Sequence, residues 1–205
     1  MRPYSLRIFR FPIFDKLALI EGRSRAIVEY FSERYGPVAN AVARSRLARL
    51  RILSQSVRAK RQGLKAAPKT FEYIGRQFDR AKVEEARLVC ALLKRFGEGA
   101  PGLLAAASYE FGKKTGSSLL PEKDFFFEDR EEVRRFLKFW FHDFVPCEAG
   151  LDPCFEACKK VLFQHQDCPH RFHWEEAKVP PEVMCDLHSH FLKGFIEAVS
   201  AHRVK

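Results

Sequence analysis

The residues best suited to metal or redox chemistry are cysteines and histidines near the C-terminal end of the chain. Five of the six cysteines lie between Cys147 and Cys185, and all seven histidines lie at or after His142. Thiolate sulfur and imidazole nitrogen are ligands that zinc prefers in proteins, and paired thiols can form disulfides. The cluster therefore predicts a zinc site, a disulfide-stapled segment or a group of reduced, packed thiols.

The zinc interpretation uses donors from two neighbouring stretches. Its ligand set is Cys168, His170 or His173, Cys185 and His188. Together these donors could complete a tetrahedral site. Their spacing, C-x4-H-x11-C-x2-H when His173 is used, matches no standard zinc finger. Zinc is therefore the alternative cofactor prediction, beside the prediction that the protein needs none.

The oxidised interpretation uses the spacing Cys147-x10-Cys158-x9-Cys168. This spacing resembles the second half of a CHCH (twin C-x9-C) hairpin, a disulfide-stapled motif of the mitochondrial intermembrane space. The stretch from Phe155 to Cys168 is similar to the second helix of such hairpins in accessory subunits of respiratory complexes. The resemblance implies an inner bridge between Cys147 and Cys158, and an outer bridge from Cys168 to Cys154 or Cys185.

The third interpretation needs no cross-link. Cys154, Cys158 and Val161 are spaced to share one helix face, where a reduced thiol packs like a small hydrophobic side chain.

A strongly basic segment precedes these cysteines. Between Glu33 and Glu72 the chain has ten Lys and Arg residues and no acidic residue. Arg44, Arg51 and Arg58 are seven residues apart and share one helical stripe, to which Arg46 and Arg49 add charge. Because like charges repel along a helix, the segment predicts an anionic partner. Acidic protein subunits, anionic lipid headgroups and nucleic acid all fit.

Nucleic acid is the less favoured of these partners. RNA-binding surfaces usually combine basic with aromatic side chains, and no aromatic residue lies between Tyr35 and Phe71.

Two short motifs resemble catalytic signatures without their context. Gly97–Gly102 reads G-x-G-x-x-G, but a helical pattern precedes it and no parallel strand follows, so it predicts a turn between helices. His142-Asp143 resembles the paired metal ligands of HD phosphohydrolases, but no earlier histidine exists to complete that site. The sequence therefore favours a protein that is not an enzyme.

Charge and apolar patterning set the fold class. The 205 residues carry a net charge of +10, and the first eighty hold eighteen Lys and Arg against six Asp and Glu. No apolar run approaches the roughly 20 residues that a membrane span requires. Apolar spacing predicts an all-α protein of several amphipathic helices with a Cys-rich C-terminal helical hairpin. The predicted helices are 38–62, 81–96, 101–111, 131–144, 153–166 and a last helix that begins at Pro181.

Breaks at Gly63–Thr70 and Thr115–Lys123 predict three segments. These are a basic N-terminal arm and helix (1–70), a middle helical segment (71–120) and a Cys/His-rich helical segment (121–205). The N-terminal stretch 1–14 is Arg-rich and free of acid, a composition typical of mitochondrial import.

These features favour a non-catalytic accessory subunit of a large mitochondrial inner-membrane complex, either a respiratory complex or ATP synthase. The alternatives are an RNA-binding organellar ribosomal protein and a zinc-binding or Cys/His helical enzyme.

Overall fold

The computed structural model describes residues 13–61, 68–119 and 171–201, and every regular element within them is helical. The elements in chain order are α1 (Ile13–Tyr35), α2 (Pro37–Arg61), α3 (Pro68–Phe96), a 3₁₀ turn (Gly97–Gly99), α4 (Ala100–Leu119), α5 (Arg171–Glu176) and α6 (Pro181–Ala201). The all-α prediction is confirmed. The predicted Cys-rich hairpin lies outside the described residues.

Sequence signals located some helix boundaries closely and missed others. Helix α2 agrees with the predicted 38–62 to within one residue, and Pro181 opens the last helix as predicted. The prediction that the middle helix ends at Gly112 is wrong, because α4 continues to Leu119. Helix α3 also begins thirteen residues earlier than predicted, at Pro68. Glycine alone does not end a helix whose neighbours pack closely against it.

Two short connections reverse the chain. Gly36 joins α1 to α2 with a φ of +66°, and Gly97 follows α3 with a φ of +61°. Left-handed backbone of this kind costs glycine little and other residues more. The G-x-G-x-x-G motif therefore forms the 3₁₀ turn and the start of α4, which confirms its prediction as a turn between helices.

One apolar cluster receives side chains from every α-helix in the described part of the chain. Its members include Ile27 and Phe31 of α1, Ala43 of α2, Leu88 of α3, Leu104 of α4, Trp174 of α5 and Leu187 of α6. The predicted inner face of α6 is confirmed, since Met184, Leu187, Phe191 and Phe195 are all buried. The described parts of the three predicted segments thus share one core, while the segment boundaries as domains stay a prediction.

Helices α4 and α6 approach one another at backbone distance. A Cβ atom built on Gly112 would lie 2.1 Å from the carbonyl oxygen of Phe191, and one on Gly194 would lie 2.1 Å from that of Tyr109. The Ser108 hydroxyl donates to the carbonyl oxygen of Leu187 at 2.6 Å across the same contact. Small side chains at this crossing therefore fix the position of α6, which carries part of the buried polar cluster described below.

Within the described ranges, none of the helices combines the length and the apolar character needed to cross a bilayer.

Candidate functional site: a buried charged cluster and an exposed basic helix

Three helices contribute to a buried polar trio, Arg23 of α1, Glu85 of α3 and His188 of α6. Arg23 and Glu85 are only 1% and 2% exposed. The guanidinium of Arg23 donates through Nε to Glu85 Oε1 at 2.9 Å and through Nη2 to Glu85 Oε2 at 2.7 Å. This paired geometry is the strongest form of an arginine–carboxylate contact.

The same Nη2 atom lies 2.9 Å from Nε2 of His188. Because arginine only donates hydrogen bonds, Nε2 of His188 must present its lone pair in this contact. A proton on Nε2 would remove the acceptor and add a positive charge beside Arg23. The geometry therefore requires the imidazole to carry its proton on Nδ1.

Two aromatic rings, those of Phe191 and Trp174, lie next to the trio. The ring of Phe191 lies below the Arg23 guanidinium, with 5.6 Å between the guanidinium carbon and the ring centroid. The Trp174 and His188 ring centroids are 5.8 Å apart. An apolar setting strengthens each ionic hydrogen bond and makes the loss of any partner costly. The arrangement suits a structural clasp between α1, α3 and α6, because solvent and substrate have almost no access to its charged atoms.

A second charged cluster joins α2 to α3 nearer the surface. Glu84 accepts hydrogen bonds from Arg46 at 3.0 Å, Arg49 at 3.3 Å and Arg87 at 2.8 Å. Arg87 also reaches Glu176 of α5 at 2.9 Å. One carboxylate therefore lies among three arginines from two helices.

The Glu84 carboxyl group experiences opposing influences. Burial acts to raise its pKa, but hydrogen bonds from Arg46 and Arg87 and the charges of Arg46 and Arg49 act to lower it. The stabilising contacts prevail, and the pKa of Glu84 lies below its ordinary value. The carboxylate is thus ionised in the folded protein at neutral pH.

The five arginines predicted to bind an anion differ in their ion pairs and in their exposure. Arg46 and Arg49 both pair with Glu84, so part of the charge of α2 is compensated within the chain. Arg44 and Arg51 are exposed and form no ion pair with other described residues. Arg58 lies in α2, but its side chain is outside the described part of the chain. Of the described arginine side chains of α2, fewer are therefore left without an acidic partner than the sequence predicted.

Two of the predicted zinc ligands, His173 and His188, make hydrogen-bonding contacts with different residues. His188 belongs to the trio, and His173 Nε2 lies 3.2 Å from Oδ1 of Asp79 on α3. Cys185 is buried on α6. Within the described ranges no three His, Cys, Asp or Glu side chains form a group that could hold a metal. Cys168 and His170 lie outside those ranges, so the full ligand set stays a prediction.

The described cysteines are not cross-linked. No disulfide joins Cys90 to Cys185, and the Cys90 Sγ donates to the carbonyl oxygen of Lys178 at 3.4 Å. The other disulfide candidates, Cys147, Cys154, Cys158 and Cys168, lie outside the described residues. Their pairing stays a prediction that counting thiols with and without reductant would test.

Sequence reasoning did not find the trio, although one signal was present. Arg23 is three residues after Ile20 and four before Ile27, so it lies on the apolar stripe of α1. A charged residue on such a stripe predicts a buried partner. The identity of that partner was beyond reach, because Glu85 and His188 are 62 and 165 residues away along the chain.

Comparison of the chain with protein-family models, curated proteins and solved structures finds no match.

Proposed function

We propose that the protein is a non-catalytic structural subunit of a large mitochondrial inner-membrane assembly, of the respiratory or ATP synthase type. The observation that carries the proposal is the outward face of α2, where Arg44 and Arg51 are exposed on a helix that contains no acidic residue. Uncompensated charge on an ordered helix is best accounted for by an anionic surface on a neighbouring molecule.

The buried charges support the same proposal. Arg23 contacts Glu85 and His188 inside the core, and Glu84 neutralises part of the basic surface. Such buried contacts hold the described helices in a fixed arrangement, which suits a structural role in an assembly. The acid-free stretch 1–14 gives the mitochondrial location its support.

Native isolation provides the test. Mitochondria from the source organism would be solubilised in mild detergent, and their complexes separated by native electrophoresis and identified by mass spectrometry. We expect the chain to migrate with one large inner-membrane complex in constant proportion to its known subunits. Migration only as a free monomer, or absence from mitochondria, would contradict the proposal.

An organellar ribosomal protein is the second candidate, because the exposed arginines could equally contact phosphates. Ribonuclease treatment before electrophoresis separates the two. A membrane-complex subunit should stay in its assembly, whereas a ribosomal protein should be released. Binding of purified chain to RNA should weaken steeply with added salt if the ribosomal alternative is correct.

A further inference from the structure

Helix α2 has one face that is buried in the core and an opposite face that is exposed. Ala43, Leu50 and Val57 are seven residues apart and fully buried in the core. The residues on the opposite side are all exposed, and they follow one another at alternating steps of three and four. This outer seam consists of Val38, Ala41, Ser45, Ala48, Ile52 and Gln55.

The spacing of the outer seam has a specific structural meaning. Apolar positions that alternate at three and four residues average 3.5, the repeat by which one helix packs along another in a coiled coil. The seam contains mainly small or apolar side chains, and Ile52 is 63% exposed. Since the inner row fixes the rotation of α2, the seam points away from the core. The outer seam therefore has the spacing and the side chains that suit packing against a second helix.

Charge complementarity indicates the nature of that partner. Arg44 and Arg51 border the seam on one side at the position where coiled coils place the residues that pair across the interface. The next position in this row is Arg58, and α2 has no acidic residue to offset any of the three. Arg49 lies on the other border, already in contact with Glu84. A partner helix would therefore gain by presenting carboxylates at a seven-residue spacing.

We infer that the outer seam of α2 docks an acidic amphipathic helix of a neighbouring protein subunit, whose carboxylates pair with Arg44 and Arg51. This inference rests on the proposed function and adds the class of partner and the register of contact. Helices that lie on lipid expose large apolar residues such as Trp, Phe and Leu, whereas this seam has two Ala, one Ser, one Gln, one Val and one Ile. The seam also offers no aromatic ring on which a base could stack.

Photo-crosslinking in the intact assembly tests the inference directly. The photoreactive residue p-benzoylphenylalanine would replace Ile52 in the full chain, and adducts would be mapped by mass spectrometry. We expect one dominant protein adduct, within a helical stretch that carries Asp or Glu at seven-residue intervals. The matched control places the same photoreactive residue at Glu98, an exposed position in the 3₁₀ turn, and should not give this adduct.

Charge reversal gives a second, independent readout. Arg44→Glu combined with Arg51→Glu should lower the fraction of chain in the assembly at least tenfold, because both interfacial pairs become repulsive. Lys94→Glu combined with Arg95→Glu changes the net charge equally at exposed positions on α3 and should retain assembly. Circular dichroism of both variants confirms that each is folded.

The outcomes separate this inference from the function on which it rests. An adduct on lipid, RNA or a protein surface without acidic residues, in an assembly that still contains the chain, would overturn the acidic-helix partner alone. Retention of the Arg44→Glu, Arg51→Glu variant in the assembly would do the same. Absence of the unmodified chain from every large assembly would instead overturn the proposed function.

Discussion

At the scale of single residues, the trio of Arg23, Glu85 and His188 determines how the core is specified. A buried ion pair adds little net stability compared with well-packed apolar side chains, since desolvation offsets most of the attraction. Its larger effect is to disfavour other packing arrangements of the helices, because any arrangement that separates Arg23 from Glu85 leaves a charge without its partner in an apolar setting. The trio therefore selects one register of α1, α3 and α6.

Removing one member of the ion pair should be far more damaging than removing both. Arg23→Met leaves the Glu85 carboxylate buried without its main partner, and we expect a loss of about 3–5 kcal/mol in the free energy of unfolding. The double variant Arg23→Met, Glu85→Leu should recover much of this loss. Urea unfolding of the two single variants and the double variant gives the coupling energy directly.

The control for this cycle is an ion pair at the surface. Arg171 contacts Glu175 one helical turn later at 2.6 Å, and the two side chains are 46% and 54% exposed. Arg171→Met should lower the free energy of unfolding far less than Arg23→Met, because exposed ion pairs contribute little to stability. Equal losses from Arg23→Met and Arg171→Met would contradict the structural role of the buried pair.

The Glu84 cluster predicts a dependence of stability on pH. Because the pKa of Glu84 is lower in the folded protein than its ordinary value near 4.5, its contribution is complete above that value and disappears as the pH falls through the lowered pKa. Glu84→Gln should therefore cost about 1–2 kcal/mol at neutral pH, with the difference from wild type closing in acid.

Urea unfolding of the wild type and of Glu84→Gln between about pH 2 and pH 7 measures this difference as a function of pH. The range spans the titration of a carboxyl group. Glu29→Gln on the exposed side of α1 is the matched change of charge and should not reproduce the loss at neutral pH. A Glu84→Gln difference that stays constant down to the lowest pH would show that lost packing, rather than lost charge, is responsible.

At the scale of elements, the crossing of α4 and α6 depends on glycines, whose low helix propensity predicts the end of a helix. Ser108, Gly112 and Gly116 follow at four-residue intervals on α4, and they meet Leu187, Phe191 and Phe195 in the same order on α6. The two helices therefore run in the same direction. Glycine lowers helix propensity but here permits contact between backbones.

Adding one methyl group at this crossing should destabilise the protein strongly. Gly112→Ala and Gly194→Ala each place Cβ 2.1 Å from a carbonyl oxygen, so the helices must separate. We expect each to lower the free energy of unfolding by about 3 kcal/mol or more, despite alanine's better helix propensity. Thermal and urea unfolding would measure the loss.

Gly75 of α3 is the matched control, since a Cβ built there meets no atom within 4 Å. Gly75→Ala should raise stability by up to about 1 kcal/mol, because alanine favours the helix and the new methyl group meets no obstacle. A destabilised Gly75→Ala variant, or a neutral Gly112→Ala variant, would contradict the importance of close helix approach.

The contrast between these glycines shows what the sequence could predict. Apolar periodicity and Pro181 located α2 and α6 well, because those signals are local. The continuation of α4 through Gly112 depends on α6, which begins almost seventy residues later. The stripe of Arg44 and Arg51 was likewise readable from spacing, whereas the capture of Arg46 and Arg49 by Glu84 required knowledge of which helices are neighbours.

At the scale of the whole molecule, the described helices share one core although the predicted segments divide them. Phe31 of α1 packs against Phe96 of α3, with 5.4 Å between ring centroids. The Arg23 clasp joins the same two helices to α6. A fragment ending near residue 70 would therefore expose the inner faces of α1 and α2. Helices α1 and α2 of the predicted basic segment therefore belong to this core, whereas the predicted arm before Ile13 lies outside the described residues.

A shared core predicts that its distant parts unfold together, and two buried thiols can report this. Cys90 lies on α3 and Cys185 on α6, and both are buried within the same apolar cluster. Brief alkylation at increasing urea, with peptide mass spectrometry to assign each site, follows each thiol separately. Because neither can react until the cluster opens, we expect identical midpoints, coincident with the loss of helical circular dichroism. Gly194→Ala should move both midpoints together to lower urea. Earlier labelling of Cys185 than of Cys90 would mean that α6 detaches on its own and that the trio does not hold it to α1 and α3.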